Sequence, residues 1–351
     1  MTFADAKAIY NHMQDEISRK LFISRMNVSV TGDAGYITML PAEYRNLSAD
    51  IENFRNGWLT EDKKQTVIMG AGFNGVAIAR QLHIKSLHAF IDNYRNGQTE
   101  CGTGFPIFSM KDYVCRYGIE DTKFVISVSD RKVADAMYAQ LVKEGVETDA
   151  ILTIPSEYRN NTSQYFDLFT PDGHETFVDC GCYDASTTFH FAGWCGNKGF
   201  DKIWCFEPDR ESYERCKELC SGLKGCKVYP YGISDKAENV SFQSGRKEES
   251  RIIRSQDNTS GDVIRTISLD AFLQDERVTF IKMDIEGAEL DALRGTSQII
   301  REQKPKLAIS VYHKAEDIIE IPKLLMELRP DYKLYIRHYS LLLNETVLYA
   351  C

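Results

Sequence analysis

The stretch FVDCGCYDAS, residues 177–186, decides the fold of the second half of the chain. A short apolar run ends in Asp179, a turn follows at Gly181, and the next residues begin a helix. A strand that ends in an acid and passes through glycine into a helix is typical of the first unit of a nucleoside-binding α/β domain. Because this turn is poor in glycine and rich in acid, it disfavours a pyrophosphate. It favours a positively charged nucleoside such as S-adenosylmethionine (SAM).

Further apolar runs follow this stretch and alternate with helical segments, which predicts βαβ units and a parallel sheet. The first of them ends in Glu207, whose carboxylate can accept hydrogen bonds from both ribose hydroxyls of a nucleoside. The last two predict an antiparallel hairpin, and the polar segment 236–262 predicts an excursion over a site. In chain order the runs are KIWCFEP (202–208), KVYPYGIS (227–234), TFIKMDIEG (279–287), KLAISVYH (306–313), YKLYIRHYS (332–340) and TVLYAC (346–351).

The front half carries a second candidate site, a possible nucleotide site, in the sequence GAGFNG, where Gly70, Gly72 and Gly75 have GxGxxG spacing. This motif follows an apolar run and opens a helix, so its backbone N–H groups can hold a phosphate. Asp92, 17 positions after Gly75, ends the next predicted strand and can bind a ribose. The alternative is that the glycines only allow the helix to approach the sheet closely. The sequence leaves both interpretations open.

Spacing and composition divide the chain into three parts. Residues 1–62 show helical spacing at Ile9, Met13 and Leu21 and predict a helical arm that packs on the rest of the chain or on a second subunit. Residues 63–152 predict a Rossmann-like domain, and residues 153–351 predict a second one. The predicted class is therefore α/β, with two Rossmann-like domains behind a helical N-terminal arm.

Composition excludes several classes of protein. The 351 residues include 42 Lys and Arg against 51 Asp and Glu, a net charge of −9, so nucleic acid is not expected as a partner. No apolar run reaches the roughly 18 residues of a membrane-spanning helix, and acids occupy the start of the chain where a signal peptide has an apolar core. A cytoplasmic protein is expected. The ten cysteines lack paired zinc-site spacing and predict reduced, buried thiols, with a metal or redox role as the lesser alternative.

Taken in order, the motifs of the second half resemble the FkbM family of SAM-dependent methyltransferases, over about residues 170–351. The most specific part is KMDIEGAE, residues 282–289, which matches the family signature KxDxEGxE. The resemblance implies a class I methyltransferase sheet of seven strands whose last strand is antiparallel, with SAM as the cofactor. The stretches VIMGAGFNG, AFIDN and KFVISVSD separately resemble the N-terminal domains of sugar-modifying acyltransferases, which implies a glycan or nucleotide-sugar setting.

The FkbM resemblance also implies roles for individual residues. Asp284 and Glu286 would line the end of the fourth strand, beside the reacting methyl group. The family commonly has glycine where Ala185 stands, and alanine adopts a positive φ only at a cost. The methionine part of the cofactor would lie over a turn formed by Asp179, Gly181, Cys182 and Tyr183. Its ribose would contact Glu207 and Pro208, and its adenine would lie beside Gly232 and Ile233.

Methyl transfer is an in-line displacement, so alignment of the reactants and removal of the acceptor proton are the main tasks. Candidate bases are Asp284, Glu286 and His313, although a structural, hydrogen-bonded side chain is the favoured interpretation of His313. Lys282 shares a strand face with Asp284 and can orient it, contact the substrate or form an ion pair. Glu289 opens the next helix, where an acid favours the positive helix end. No metal is expected, because the oxygen ligands are too few.

These inferences predict a SAM-dependent O-methyltransferase that acts on a hydroxyl of a sugar, nucleotide sugar or glycan. The expected partner is a small-molecule or glycan acceptor, without membrane insertion, and a homodimer is open. Two alternatives remain. One is a nucleotide-sugar oxidoreductase that uses Gly70–Gly75, and the other is a non-catalytic scaffold that binds SAM.

Overall fold

A computed structural model describes residues 2–45, 49, 53, 56, 64–81, 86–100, 102–128, 130–154, 163–243, 251–253 and 262–351. The chain divides into two compact units. Unit 1 comprises Met1–Met26, Thr162–Arg337 and Glu345–Cys351, and unit 2 comprises Asn27–Asn161 and His338–Asn344. Each unit is built on its own sheet, in which strands alternate with helices. This confirms the predicted α/β fold with parallel sheets.

The sheet of unit 1 has seven strands in the order β8-β7-β6-β13-β14-β16-β15. Neighbouring strands from β8 to β14 are parallel, whereas β16 runs antiparallel to β14. The parallel strands are short and largely buried, as expected for strands covered on both faces. The seven strands are β6 (Thr176–Cys180), β7 (Lys202–Phe206), β8 (Cys226–Tyr229), β13 (Phe280–Met283), β14 (Lys306–Ser310), β15 (Leu334–His338) and β16 (Thr346–Ala350).

Register in this sheet places two charged residues side by side. Asp179 of β6 lies directly opposite Lys282 of β13, so both side chains project from the same face of the sheet. Both residues are buried, and a charge in a sheet interior is stable only when it is paired. The strand register therefore builds an ion pair into the base of the loop that follows β6.

Helices cover this sheet, and α1 is one of them. Its residue Asp5 forms an ion pair with Lys323 of α12 at 3.6 Å, and Met13 forms a bridge with Leu334 of β15. Further along β15, Arg337 forms an ion pair with Asp15 at 2.7 Å. The helices are α1 (Phe3–His12), α2 (Glu16–Thr31), α7 (Ser186–Cys195), α8 (Arg210–Cys220), α9 (Leu269–Phe272), α10 (Glu289–Arg294), α11 (Ser297–Gln303) and α12 (Asp317–Leu328).

Unit 1 also holds a small sheet in the order β11-β10-β12-β9. Its strands β10 and β11 lie within the segment 236–262 that predicted a polar excursion, so the described parts of that segment are antiparallel strands. Residues 244–250 and 254–261 lie outside the described residues. The strands are β9 (Gly232–Ile233), β10 (Asn239–Gln243), β11 (Arg251–Ile253) and β12 (Asp262–Ile267).

The sheet of unit 2 has five strands in the order β3-β2-β1-β4-β5, and all four pairings are parallel. Apolar side chains cover both of its faces, and Leu341 and Leu342 belong to one of the two clusters. The strands are β1 (Gln65–Met69), β2 (Leu87–Ile91), β3 (Ile107–Phe108), β4 (Thr122–Ile126) and β5 (Ile151–Thr153). The helices are α3 (Gly35–Thr38), α4 (Phe73–Gln81), α5 (Met110–Tyr117) and α6 (Arg131–Lys143).

Among the residues that the structure describes, no helix is both long enough and apolar enough to cross a bilayer.

Candidate active site at the carboxyl ends of the unit 1 strands

The loop between β6 and α7 depends on a glycine. Gly181 has φ +79°, and a Cβ atom on it would lie 2.1 Å from the carbonyl oxygen of Asp284. No side chain fits there, because the loop after β6 and the end of β13 touch through their backbones. The loop keeps left-handed backbone at Tyr183 (φ 45°) and Ala185 (φ 63°) as well. Ala185 thus adopts the positive φ that alanine disfavours, and such strain is common at functional sites.

A buried ion pair supports this loop from below. Lys282 Nζ lies 3.1 Å from Asp179 Oδ1 and donates a 2.7 Å hydrogen bond to the carbonyl oxygen of Gly181. The second Asp179 oxygen accepts a hydrogen bond from Thr188 Oγ1 at 2.8 Å. Burial raises the pKa of Asp179 to about 6. Burial also disfavours the charged form of Lys282, but the nearby carboxylates of Asp179 and Asp284 outweigh this effect and raise the pKa of Lys282. Of the three roles open to Lys282, the structure shows the ion pair.

Glu207 ends β7 and faces the same loop. Its carboxylate accepts hydrogen bonds from the backbone N–H groups of Tyr183 at 3.0 Å and Asp209 at 2.9 Å. Burial raises its pKa above the ordinary value. Arg215 holds the other side of Tyr183, by a 3.1 Å hydrogen bond to its carbonyl oxygen and by stacking 5.0 Å from its ring centre. Glu207 is thus fixed beside the loop, while a carboxylate has about four lone-pair positions and only two are used here.

The remaining predicted cofactor residues lie on neighbouring elements. Cys182 is buried in the loop, and Pro208 follows Glu207 half-buried. Gly232 and Ile233 form β9, are buried, and pair in parallel with β12. The structure therefore places these residues in or after β6, β7 and β8. Which of them touch a cofactor stays a prediction.

Asp284, which follows β13, is the centre of a hydrogen-bonded cluster. Its Oδ2 accepts a hydrogen bond from Tyr165 at 2.8 Å, and its Oδ1 accepts one from Tyr312 at 3.2 Å. Although burial opposes ionisation, His313 and Lys282 hold the pKa of Asp284 below its ordinary value. Tyr165 has φ +74°, and its backbone N–H donates to the Tyr349 hydroxyl at 2.9 Å. Both oxygens of Asp284 are therefore occupied, which fixes it as an anion.

The two tyrosines that donate to Asp284, Tyr165 and Tyr312, were not predicted from the sequence. Tyr165 lies in a stretch with no motif, more than 100 residues before Asp284, so no spacing pattern links the two. Tyr312 is part of SVYHK, where the neighbouring His313 drew the interpretation. The position of Tyr312 after the fifth parallel strand was the signal that could have placed it in the site, because the ends of parallel strands meet at one edge of the sheet.

Three carboxylates surround His313, which is nearly buried. Its Nδ1 lies 2.9 Å from Glu289, and its Nε2 lies 3.4 Å from Asp284 and 3.5 Å from Glu286. Burial works against a charged ring, but the three carboxylates raise its pKa to about 10. A protonated imidazole cannot accept a proton, so this geometry favours a fixed positive charge over a general base. Glu289 also accepts the backbone N–H of Ile285 at 2.8 Å, a role beyond the expected helix-end effect.

Glu286 is the more exposed acid of this cluster, with 37% of its side chain accessible. Its backbone has φ +55°, which turns the chain sharply before Gly287. Burial, only partly offset by His313, raises the pKa of Glu286 to about 8. A carboxylate whose pKa lies near neutrality and which faces solvent has the properties of a general base.

One group among the described residues has the composition of a metal site. One ligand atom each from Asp284, Glu289 and His313 lies within 4.8 Å of the others. The close pairing of His313 with Glu289 balances charge without an ion. The absence of a metal requirement stays a prediction.

Comparison with known proteins places this site in a family. The model of the family described as "Methyltransferase FkbM domain" matches residues 179–334. Hexuronic acid methyltransferase AglP of Haloferax volcanii is 28% identical over 38% of this chain and 55% of that protein. The 2-O-methyltransferase NoeI of Sinorhizobium fredii is 26% identical over 35% of this chain and 58% of that protein. The chain thus spans a little over half the length of these curated relatives.

Residues 179–334 are therefore similar to a methyltransferase FkbM domain.

A solved structure agrees with this assignment at the level of fold. The crystal structure of methyltransferase FkbM from Methylobacillus flagellatus KT aligns with 94% of this chain and covers 98% of its own length. The TM-score is 0.54 and the sequence identity is 18%, so the likeness concerns the fold alone.

Unit 2 lies outside the residues matched by the FkbM model, and the predicted resemblance to acyltransferase domains is not supported. Its glycine motif is built for close packing. A Cβ atom on Gly75 would lie 2.0 Å from the carbonyl oxygen of Gly70, which itself has φ +98°, whereas Gly72 has open space around it. Asp92 accepts the backbone N–H groups of Ala71 at 3.2 Å and Tyr94 at 3.0 Å. Its carboxylate is therefore engaged with the turn that would hold a nucleotide.

Proposed function

We propose that the chain is a SAM-dependent O-methyltransferase that transfers a methyl group to a hydroxyl of a sugar, nucleotide sugar or glycan. The observation that carries the proposal is the convergence of Glu207, Asp284 and Glu286 at one edge of the sheet. Glu207 follows β7, whereas Asp284 and Glu286 follow β13, and these two parallel strands flank β6; the carboxyl ends of such strands are where α/β folds bind their ligands. The strand order with one antiparallel member supports the class I methyltransferase arrangement. The sugar acceptor is supported by the names of two relatives, a hexuronic acid methyltransferase and a 2-O-methyltransferase.

The residues present fit SAM. Gly181 holds the loop after β6 against the end of β13, and Glu207 beside this loop keeps lone pairs for two ribose hydroxyls. The surrounding acids suit a sulfonium cation. When bound, SAM supplies a methyl group on a positively charged sulfur.

The acidic cluster would then act on the acceptor. Glu286 accepts the proton of the acceptor hydroxyl as the oxygen attacks, because it is the exposed carboxylate with a pKa near neutrality. Asp284, which His313 and Lys282 keep ionised and which Tyr165 and Tyr312 hold in place by hydrogen bonds, orients the hydroxyl. The positive charge of His313, held by Glu289, keeps the carboxylates from repelling one another.

SAM titration of a Glu207 variant tests this function. Calorimetry of Glu207→Gln should show SAM affinity lowered by about ten- to a hundredfold, the effect of losing charge-assisted hydrogen bonds. The matched control is Glu211→Gln, which removes an exposed carboxylate from helix α8, just beyond Glu207. A wild-type protein that does not bind SAM would refute the proposal, and so would a Glu207 variant that binds it normally.

A second assay addresses the acceptor. Incubation with methyl-labelled SAM and a panel of neutral sugars, uronic acids, nucleotide sugars and glycans should label at least one member of the panel. SAM binding without transfer to any member would favour the non-catalytic scaffold instead. NAD turnover without SAM binding would favour the oxidoreductase, although the engaged Asp92 argues against it.

A further inference from the structure

Five cysteines gather beside the proposed cofactor loop, on the side of β7, and we refer to them as the thiol cluster. They lie on the loop after β6, on β7, on α8 and at the start of β8. The Sγ atoms of Cys205 and Cys226 lie 3.7 Å apart. Cys205 is fully buried and Cys226 is half-buried. The members are Cys182, Cys205, Cys216, Cys220 and Cys226.

We propose that Cys205 and Cys226 form a reversible oxidation site, at which a hydroperoxide joins the two sulfurs in a disulfide.

Proximity and strand geometry support this pair. A disulfide requires a separation of about 2.05 Å, so the sulfurs need to approach by less than about 2 Å. Cys226 lies opposite Ile203 in the register of β7 and β8, which puts Cys205 two residues further along. A diagonal pair of this kind needs some backbone movement to be bridged. Among the strands that the structure describes, β8 is at the edge of its sheet and pairs with β7 alone, so it can move more readily than an inner strand.

The surroundings of Cys205 favour its reaction. Hydrogen bonds from the thiols of Cys182, then Cys220 and Cys226, hold the pKa of Cys205 below that of an ordinary thiol. Thr188 Oγ1, at 3.2 Å, is a further polar neighbour of this sulfur. Since the thiolate is the nucleophile in disulfide formation, Cys205 is prepared to attack an oxidised partner. Cys226 is only half-buried and is therefore the sulfur that meets the oxidant, even though its hydrogen bond to Cys205 raises the pKa of its thiol.

The chemistry balances with one hydroperoxide. Cys226 loses its proton and its sulfur attacks a peroxide oxygen. The O–O bond breaks, and with hydrogen peroxide the leaving hydroxide takes that proton as water, which leaves a sulfenic acid on Cys226. The Cys205 thiolate then attacks the Cys226 sulfur. The S–O bond breaks, and the second hydroxide takes the proton that Cys205 gave up. Two thiols and one peroxide become one disulfide and two waters.

The site is coupled to the cofactor loop, and this consequence rests on the proposed function. Thr188 touches the Cys205 sulfur and also donates to Asp179, the carboxylate that anchors Lys282 beneath Gly181. Cys205 is also two residues before Glu207 on the same strand. Drawing Cys205 toward β8 therefore disturbs both the support of the loop and the ribose-binding acid. Oxidation should weaken SAM binding, and a thiol reductant should restore it, because a strained disulfide is easily reduced.

Peptide mapping of the oxidised full chain tests the site directly. Reduced protein is treated with hydrogen peroxide, free thiols are blocked with iodoacetamide, and the tryptic peptides are analysed by mass spectrometry. Trypsin separates the relevant cysteines, because Cys205 falls in residues 203–210, Cys220 in 218–224 and Cys226 in 225–227. The expected product is peptide 203–210 linked to peptide 225–227, absent after dithiothreitol. Blocked Cys205 and Cys226 in the peroxide-treated sample, or a link from Cys226 to Cys220 alone, overturns the proposal.

Variants and SAM titration separate this proposal from the proposed function. Cys226→Ser should abolish the link, whereas Cys115→Ser, which removes an exposed cysteine of unit 2, should leave it unchanged. SAM affinity of the wild type should fall by about tenfold or more on oxidation and stay constant in Cys226→Ser. If the link forms but reduced protein does not bind SAM, the oxidation site stands and the proposed function fails. If reduced protein binds SAM and no link forms, the proposed function stands and the oxidation site fails.

Discussion

The two units contain the same strand–turn–helix element and use it differently. In unit 1 the loop after β6 rests on a buried Lys282–Asp179 pair, and Glu207 of the next strand accepts a loop N–H. In unit 2 the turn after β1 rests on Ser127, whose hydroxyl donates to the carbonyl oxygen of Met69 at 2.8 Å. Asp92 takes the place of Glu207 and likewise accepts a turn N–H. A buried ion pair therefore distinguishes the candidate active site from the turn of unit 2, although the fold is shared.

The fourth strand of each sheet shows the same contrast. β13 is followed by Asp284 and Glu286, which face His313; the charge of His313 lowers the pKa of Asp284, and the carboxylates raise the pKa of His313. In unit 2 the strand in the equivalent place, β4, is followed by Ser127, whose hydroxyl donates a hydrogen bond to the backbone. Strongly perturbed acids and bases of this kind cluster at functional sites.

The largest expected effect is on the buried pair. Lys282→Met removes the cation and leaves Asp179 uncompensated inside unit 1, which should lower the free energy of unfolding by about 3–5 kcal/mol. Urea denaturation measures it. Ser127→Ala, the matched change in unit 2, removes one neutral hydrogen bond and should cost about 1 kcal/mol. Equal losses in the two variants would contradict the contrast between the units.

The buried Lys282–Asp179 pair also affects how a variant of Asp179 is interpreted. Sequence reasoning expects Asp179→Ala to weaken SAM binding while the fold stays intact. The structure corrects the second part, since the variant would leave Lys282 buried without its partner. Glu207, whose carboxylate accepts hydrogen bonds from the backbone N–H groups of Tyr183 and Asp209, is the better residue for a binding test.

The second effect concerns the reaction. Glu286→Gln should lower kcat at least about a hundredfold, because a general base contributes in that range. Since the pKa of Glu286 is raised to about 8, its ionised form appears as pH increases. The wild-type kcat should therefore rise through about pH 8 and fall below it, while the Gln variant lacks that rise. The charged groups that act on Glu286 are His313, Asp284, Glu289 and Glu345. A variant that keeps the wild-type pH profile would assign the base elsewhere.

The residues of the candidate site differ in how well the sequence predicts them. The KxDxEGxE signature placed Lys282 on a strand, Asp284 and Glu286 just after it and Glu289 at the start of the next helix, and the structure has them there. The partners of these residues were not predictable from local patterns. Tyr165 reaches Asp284 across more than 100 residues, and the Asp179–Lys282 pair depends on strand register.

The glycines give a third, smaller effect. Gly181→Ala and Gly75→Ala each force a Cβ atom to about 2 Å from a backbone oxygen and should each lower the free energy of unfolding by about 2 kcal/mol. Gly72→Ala meets nothing within 4 Å and should change it by less than about 0.5 kcal/mol. Thermal denaturation of the three variants decides this. A large loss in Gly72→Ala would show that the unit 2 turn has a constraint besides packing.

The smallest expected effect tests whether unit 2 holds a nucleotide. Asp92→Asn keeps an acceptor oxygen for Ala71 or Tyr94 and removes the charge, so it should cost about 1 kcal/mol or less in the free energy of unfolding. If Asp92 serves only its turn, neither NAD nor a nucleotide sugar should stabilise the wild type in a thermal-shift assay. Stabilisation of wild type that disappears in Asp92→Asn would instead assign a ribose to that carboxylate. The two units would then differ in ligand rather than in whether they bind one.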